Sequence, residues 1–93
     1  MFFVYKNVQF QKHEKENWVV VRGEIYNNSS INYHSVAFRM VIFIKGTPPI
    51  NTVITINGFS AGKRQTFEKQ IEALDHKLIN NITRYEITPA GAY

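Results

Sequence analysis

The 93-residue chain contains no cysteine. Disulfides, a thiolate zinc site and a cysteine nucleophile are therefore excluded. The compartment stays open, since a reduced cytosol and a disulfide-free surface domain both permit a count of zero. A long apolar run is also missing. The longest, residues 40–44, falls far short of the roughly 20 residues a membrane-spanning helix requires. No transmembrane segment is expected. The opening "MFFVYKN" lacks the basic lead and apolar length of a signal peptide. Met1 serves equally as the start of a whole protein or as a start codon added to a domain cut from a longer one. There is no internal repeat, linker or low-complexity segment.

The residues present suffice for one domain spanning 1–93. Hydrophobic residues make up 44% of the chain, with seven Phe, five Tyr and one Trp. A chain of this size buries roughly 60–65% of its unfolded surface, enough for one modest core. The net charge is +4. Basic character attracts nucleic acid or anionic lipid only when it is clustered, and here the cations are spread from Lys6 to Arg84.

The apolar residues alternate with a period of two, the signature of half-buried strands. In "NWVVVRGEIYNN", Val19, Val21 and Ile25 share one side, while Trp18, Val20, Arg22, Glu24 and Tyr26 share the other. In "YHSVAFRMVIFIK", Val36, Phe38, Met40, Ile42 and Ile44 oppose Ala37, Arg39, Val41, Phe43 and Lys45. "FFVYKNVQF", "NTVITIN", "KRQTFEKQIEA" and "ITRYEIT" complete about six strands. The asparagines of "NNSSIN" tolerate left-handed geometry and mark a loop. "KGTPP" is a turn that no central strand could carry. Residues 72–80 read as a loop with one turn of helix. The fold class is therefore all-β, an antiparallel sandwich or barrel. Gly23 falls in phase with the core face. Glycine inside a strand marks a bulge or a close approach, and the expectation is that it makes room for Phe38.

"NGFSAGKRQTF", residues 57–67, has the look of a phosphate-binding loop. A Walker A loop needs four residues between its glycines, a hydroxyl residue after the lysine and a following helix. Gly58 and Gly62 enclose three residues, Arg64 holds the hydroxyl position, and the chain beyond alternates like a strand. The expected structure is a β-turn with positive φ at Gly62.

Three segments in order carry a resemblance. Trp18, Gly23, Ile25 and Asn27 fit W-x-V-V-x-G-x-V-x-N. Val36, Phe38 and Met40, with Ile42 and Phe43, fit V-x-V-x-V-x-F-Y-D. Phe59, Ala61, Gly62 and Phe67 fit L-x-P-G-x-x-x-x-F. Over residues 17–71 the chain resembles FxLYD-type domains and the related late-embryogenesis-abundant type-2 sandwiches. Ile44 and Lys45 replace the Asp after the aromatic, and Ala61 replaces the Pro. The resemblance implies an immunoglobulin- or fibronectin III-like sandwich of six to seven strands. It implies no catalytic residues or cofactor, and it points to the cell envelope or the extracellular space.

Site chemistry is sparse. His13, His34 and His76 have no metal-ligand neighbour at a regular spacing. The seven carboxylates fall in loops or on outward faces, with Glu24 expected to pair with a cation. No nucleophile-elbow motif occurs. N-x-[ST] sequons at Asn27, Asn28 and Asn81 read as turn-rich coincidences. No catalytic, cofactor or metal residues are assigned. The candidate interaction face is Trp18, Arg22, Tyr26, Arg39, Phe43 and Lys45. It fits two functions. One is a non-catalytic binding or spacer module, with another protein or another domain of the same chain as partner. The other is a small basic β-domain that binds single-stranded nucleic acid by stacking bases among cations. The second needs the two strands to be neighbours.

Overall fold

A computed structural model describes residues 2–93, and Met1 lies outside them. The elements run β1 (Phe3–Lys12), β2 (Trp18–Asn27), β3 (Tyr33–Ile44), β4 (Ile50–Phe59), β5 (Arg64–Asp75), a 3-10 helix (His76–Asn81) and β6 (Ile82–Ala92). All six expected strands form, and several run longer than their alternation outlines. β5 continues to Asp75, through part of the segment expected as loop. The expected helical turn follows it. Asp75 caps that turn, its Oδ1 accepting from the Lys77 N–H at 2.8 Å, the usual way an acidic side chain satisfies an orphan helix donor.

The strands form two antiparallel sheets rather than one closed barrel. Sheet A has the order β1-β2-β5 and sheet B the order β4-β3-β6. Two connections are hairpins, at residues 13–17 and 45–49. The other three, residues 28–32, residues 60–63 and the 3-10 helix, pass from one sheet to the other. One end of the sandwich gathers residues 28–32, residues 60–63 and the two ends of the described chain. There Asn28 N–H donates to Phe2 O at 2.6 Å and His34 N–H to Tyr93 O at 2.7 Å.

The two central strands supply the core. Val19, Val21 and Ile25 of β2 face Val36, Phe38, Met40 and Ile42 of β3, and all are fully buried. Phe3 meets Phe38 edge-on with ring centroids 5.1 Å apart. Each such side chain contributes about 1.5–3 kcal/mol by leaving water. Leu78 and Ile79 of the 3-10 helix pack against the same cluster.

Three local expectations are corrected. Gly23 makes room for Phe67, not Phe38: a Cβ at position 23 would lie 2.7 Å from Phe67 Cε2 and Cζ and 3.1 Å from Val8 Cγ2. The register explains this, since Gly23 sits directly opposite Phe67 on β5. The loop read at residues 27–32 forms over residues 28–32, with Asn27 still in β2, and its asparagines do not use the left-handed geometry open to them. The non-glycine residue with positive φ is Asn7 (φ 57°), at the irregularity in the β1–β2 pairing. Val20, on the outward face, is nonetheless buried. It lies on the central strand between Gln11 and Gln70, whose side chains stand beside it.

Candidate functional site: the two outer faces

The six candidate residues do not share a surface. Trp18, Arg22 and Tyr26 belong to β2 in sheet A; Arg39 and Phe43 belong to β3 in sheet B. Their outward positions lie on opposite sides of a body whose smallest extent is 19 Å. Lys45 is past the end of β3, exposed in the turn, with its N–H donating to Asn81 O at 2.8 Å. A single platform of aromatics and cations is not formed. The stacking arrangement that a nucleic-acid reading requires is therefore split in two.

The outer face of sheet A is occupied by its own contacts. Arg22 pairs with Glu68, its direct neighbour on β5. Arg64 Nη1 reaches Glu24 Oε2 at 3.0 Å, and Asn7 Nδ2 donates to Glu24 Oε1 at 2.7 Å. The cation expected beside Glu24 is thus on β5. Lys6 Nζ stands 5.2 Å from the centre of the Tyr26 ring. Trp18 is half-buried against His13, ring centroids 5.5 Å apart, under the 13–17 hairpin. His13 Nδ1 organises that hairpin by accepting from Lys15 and Glu16 N–H, both at 3.0 Å. Opposite charges placed side by side across strands neutralise Arg22, Arg64, Glu24 and Glu68 within this face, while among the described residues Lys6 is covered by a ring alone.

The outer face of sheet B differs. Arg39 is exposed and makes no ion pair among the described residues. Its cross-strand neighbours are Val53, 49% exposed, and Thr88. Val41 and Phe43 continue the row. The Arg84 guanidinium lies 3.7 Å from the centre of the Phe43 ring and also binds Glu86 Oε2 at 2.5 Å. This is a semi-apolar strip in which, among the described residues, Arg39 is in no ion pair.

Other sequence candidates resolve as structure. Residues 60–63 are a β-turn: Lys63 N–H donates to Ser60 O at 3.2 Å, and Gly62 has φ 71° as expected. The turn feeds β5, so no helix follows it. Among the described residues, no three His, Asp or Glu side chains gather to hold a metal. No helix among the described residues is long and apolar enough to cross a membrane. Burial pushes the Tyr5 phenol above its ordinary pKa, and its hydroxyl has no hydrogen-bond partner among the described residues.

The residue that sequence reasoning undervalued is Asn27. Among the described residues it is the one polar residue that is fully buried. Its Nδ2 donates to Ile31 O at 3.0 Å and Phe59 O at 3.1 Å. Its Oδ1 accepts from Ser29 N–H at 3.0 Å and from Ser29 Oγ at 2.6 Å. Its backbone N–H donates to Lys63 O at 2.9 Å and its carbonyl accepts from Gly62 N–H at 2.8 Å. Both sheet-to-sheet loops at this end thus hang on one side chain and its backbone. The same commitment makes Asn27 unavailable as a glycan acceptor. The signal was there: position 27 continues the inward phase of 19, 21, 23 and 25.

Set against known family models, curated proteins and solved structures, the chain matches none.

Proposed function

We propose that this chain is a non-catalytic binding module that docks another protein, or another domain of its own chain, through the outer face of sheet B. The observation that carries the reading is the contrast between the two faces. Sheet A pairs Arg22 with Glu68 and Arg64 with Glu24, and sets Lys6 over the Tyr26 ring. Sheet B presents Arg39, in no ion pair among the described residues, beside an exposed Val53 and next to Val41 and the Phe43–Arg84 stack. Apolar surface around an unpaired arginine is what interface cores favour.

The finer fold reading, immunoglobulin- or fibronectin III-like, belongs to the same proposal. The facing orders β1-β2-β5 and β4-β3-β6, with crossings after β2, β4 and β5, support it. The FxLYD resemblance gains support from contacts between its own motif residues. Gly23 lies against Phe67, and Asn27 holds the Phe59 carbonyl. Both contacts join the first motif to the third. That resemblance would place the module in a cell-envelope or extracellular protein.

The test is cross-linked capture from an extract of the source cells, with identification of what is bound. Wild type, Arg39→Glu with Phe43→Ser, and Arg22→Glu on the other face are compared. The reading expects capture to be lost in the first variant and kept in the second. Equal capture by all three proteins would discard the sheet B face.

A further inference from the structure

The sandwich has four sheet edges, and they are not equivalent. An edge strand exposes unpaired N–H and C=O groups and recruits another strand unless something blunts it. β1 is blunted by the left-handed Asn7 and the break in pairing between Lys6 and Gln9. β5 carries charges along its length and lies beside β4. β4 pairs regularly, but it has no charged residue to select a partner or a register. β6 is different again. Between its two irregularities it pairs regularly with β3, from Arg84 opposite Phe43 to Pro89 opposite Phe38. Nearly every residue of it is exposed. Pro89 ends the stretch on one side, and on the other the pairing breaks between Phe43 and Ile44, just after the 3-10 helix.

Within that window the charges follow a pattern. Arg84 and Glu86 lie on the same outward face, two residues apart, paired with each other yet more than half exposed and so able to exchange partners, with Tyr85 between them on the opposite face. An antiparallel pair of identical strands centred on residue 85 sets each Arg84 opposite the partner's Glu86. Side chains directly opposite stand about 5 Å apart, within ion-pair reach. The four charges then alternate in sign around the two-fold axis. On the other face, Tyr85 meets the partner's Tyr85. Tyr85 is 38% exposed and already packs on Phe10 at 5.8 Å between ring centroids. The pairing would extend that aromatic seam. A two-fold interface must be self-complementary, and this edge is so in one register.

We infer that the β6 edge is a homodimer interface, in which β6 pairs antiparallel with β6 of a second copy about Tyr85, joining two three-stranded sheets into one six-stranded sheet. This goes beyond the proposed docking face and does not rest on it. It concerns the edge of sheet B, needs no foreign partner and is measured on the purified chain.

Sedimentation equilibrium of the full chain, from micromolar to millimolar concentration at low salt, reads the association directly. Wild type is expected to pass from monomer to dimer. Glu86→Arg sets arginines opposite each other and should weaken association about tenfold or more. Arg84→Glu should do the same with glutamates. The double swap Arg84→Glu with Glu86→Arg restores opposite signs and should restore the dimer. An equimolar mixture of the two single variants should form a mixed dimer that neither forms alone. Circular dichroism checks that each variant keeps its sheet signal, as exposed positions should. A wild type that stays monomeric throughout, a dimer indifferent to Glu86→Arg, or a double swap no better than the singles would each overturn the assignment. In the second case the second copy sits on another edge; in the first, the edge is left for a different strand.

Discussion

The Phe67 ring lies so close to Gly23 that a Cβ on residue 23 would stand 2.7 Å from two of its carbons. The glycine is there for the space it leaves, since its backbone is ordinary strand. Gly23→Ala should destabilise by about 1–3 kcal/mol, the usual cost of overfilling a packed site. Gly23→Val should cost more. Phe67→Leu in the Gly23→Ala background should recover part of the loss, because neighbours in contact are not additive. Urea midpoints for the four combinations measure the coupling. Purely additive losses would mean the ring and the glycine act separately.

Asn27→Ala should be among the most damaging single changes on the polar inventory. It removes four side-chain hydrogen bonds, among them the buried one to the Phe59 carbonyl. Leaving buried groups unpaired costs about 1–3 kcal/mol each. A loss of roughly 2–4 kcal/mol is expected for the set. Asn27→Asp keeps the Ser29 acceptor but loses both Nδ2 donors, so it should be destabilising too. Denaturant unfolding checks both.

Arg22→Ala should change stability by less than about 1 kcal/mol. Both partners of the Arg22–Glu68 pair are half exposed, and such pairs are screened and entropically costly. A larger loss would show that the sheet A charge ladder acts as one network. Thermal melts at low and high salt distinguish the cases, since an exposed network weakens with salt.

Tyr5 carries a pH prediction. Its phenol is held above the ordinary value by desolvation. The folded protein therefore binds this proton more tightly than the unfolded chain does. The contribution is fully present below the unfolded value of about 10 and is lost as pH rises from there through the folded value. Tyr5→Phe removes the titrating group and an unpaired buried hydroxyl. It should leave neutral stability equal or higher and flatten the alkaline fall. Unfolding free energy between neutral pH and pH values above that of the free phenol tests this; an unchanged alkaline slope would refute it.

The two-residue period was enough to place all six strands, because a strand half in water must alternate. It also put Gly23 on the core face and Gly62 in a turn. The alternation carried no information about which strands pair, so it left Trp18, Arg22 and Tyr26 free to share a surface with Arg39 and Phe43. They do not, because the chain changes sheets after Asn27. It also could not show that Phe67, 44 residues along, would be the ring above Gly23. Asn27 was misjudged for a different reason. Polar runs such as "NNSS" read as loop, and only the inward phase betrays that the first of them is core.

The switching of sheets after β2, β4 and β5 also sets how the chain must fold. The two hairpins form from neighbouring sequence, but neither builds a sheet. β5 joins β2 with Lys69 opposite Val21, and β6 joins β3 with Glu86 opposite Val41. Each sheet therefore waits for a strand more than forty residues away. Such distant closures lose chain entropy before packing compensates it. Refolding should fall in the slow range of small domains, about milliseconds to seconds. During that interval the β4 sequence "INTVITING", without a charge to keep it solvated, is the segment most exposed to meeting its own kind.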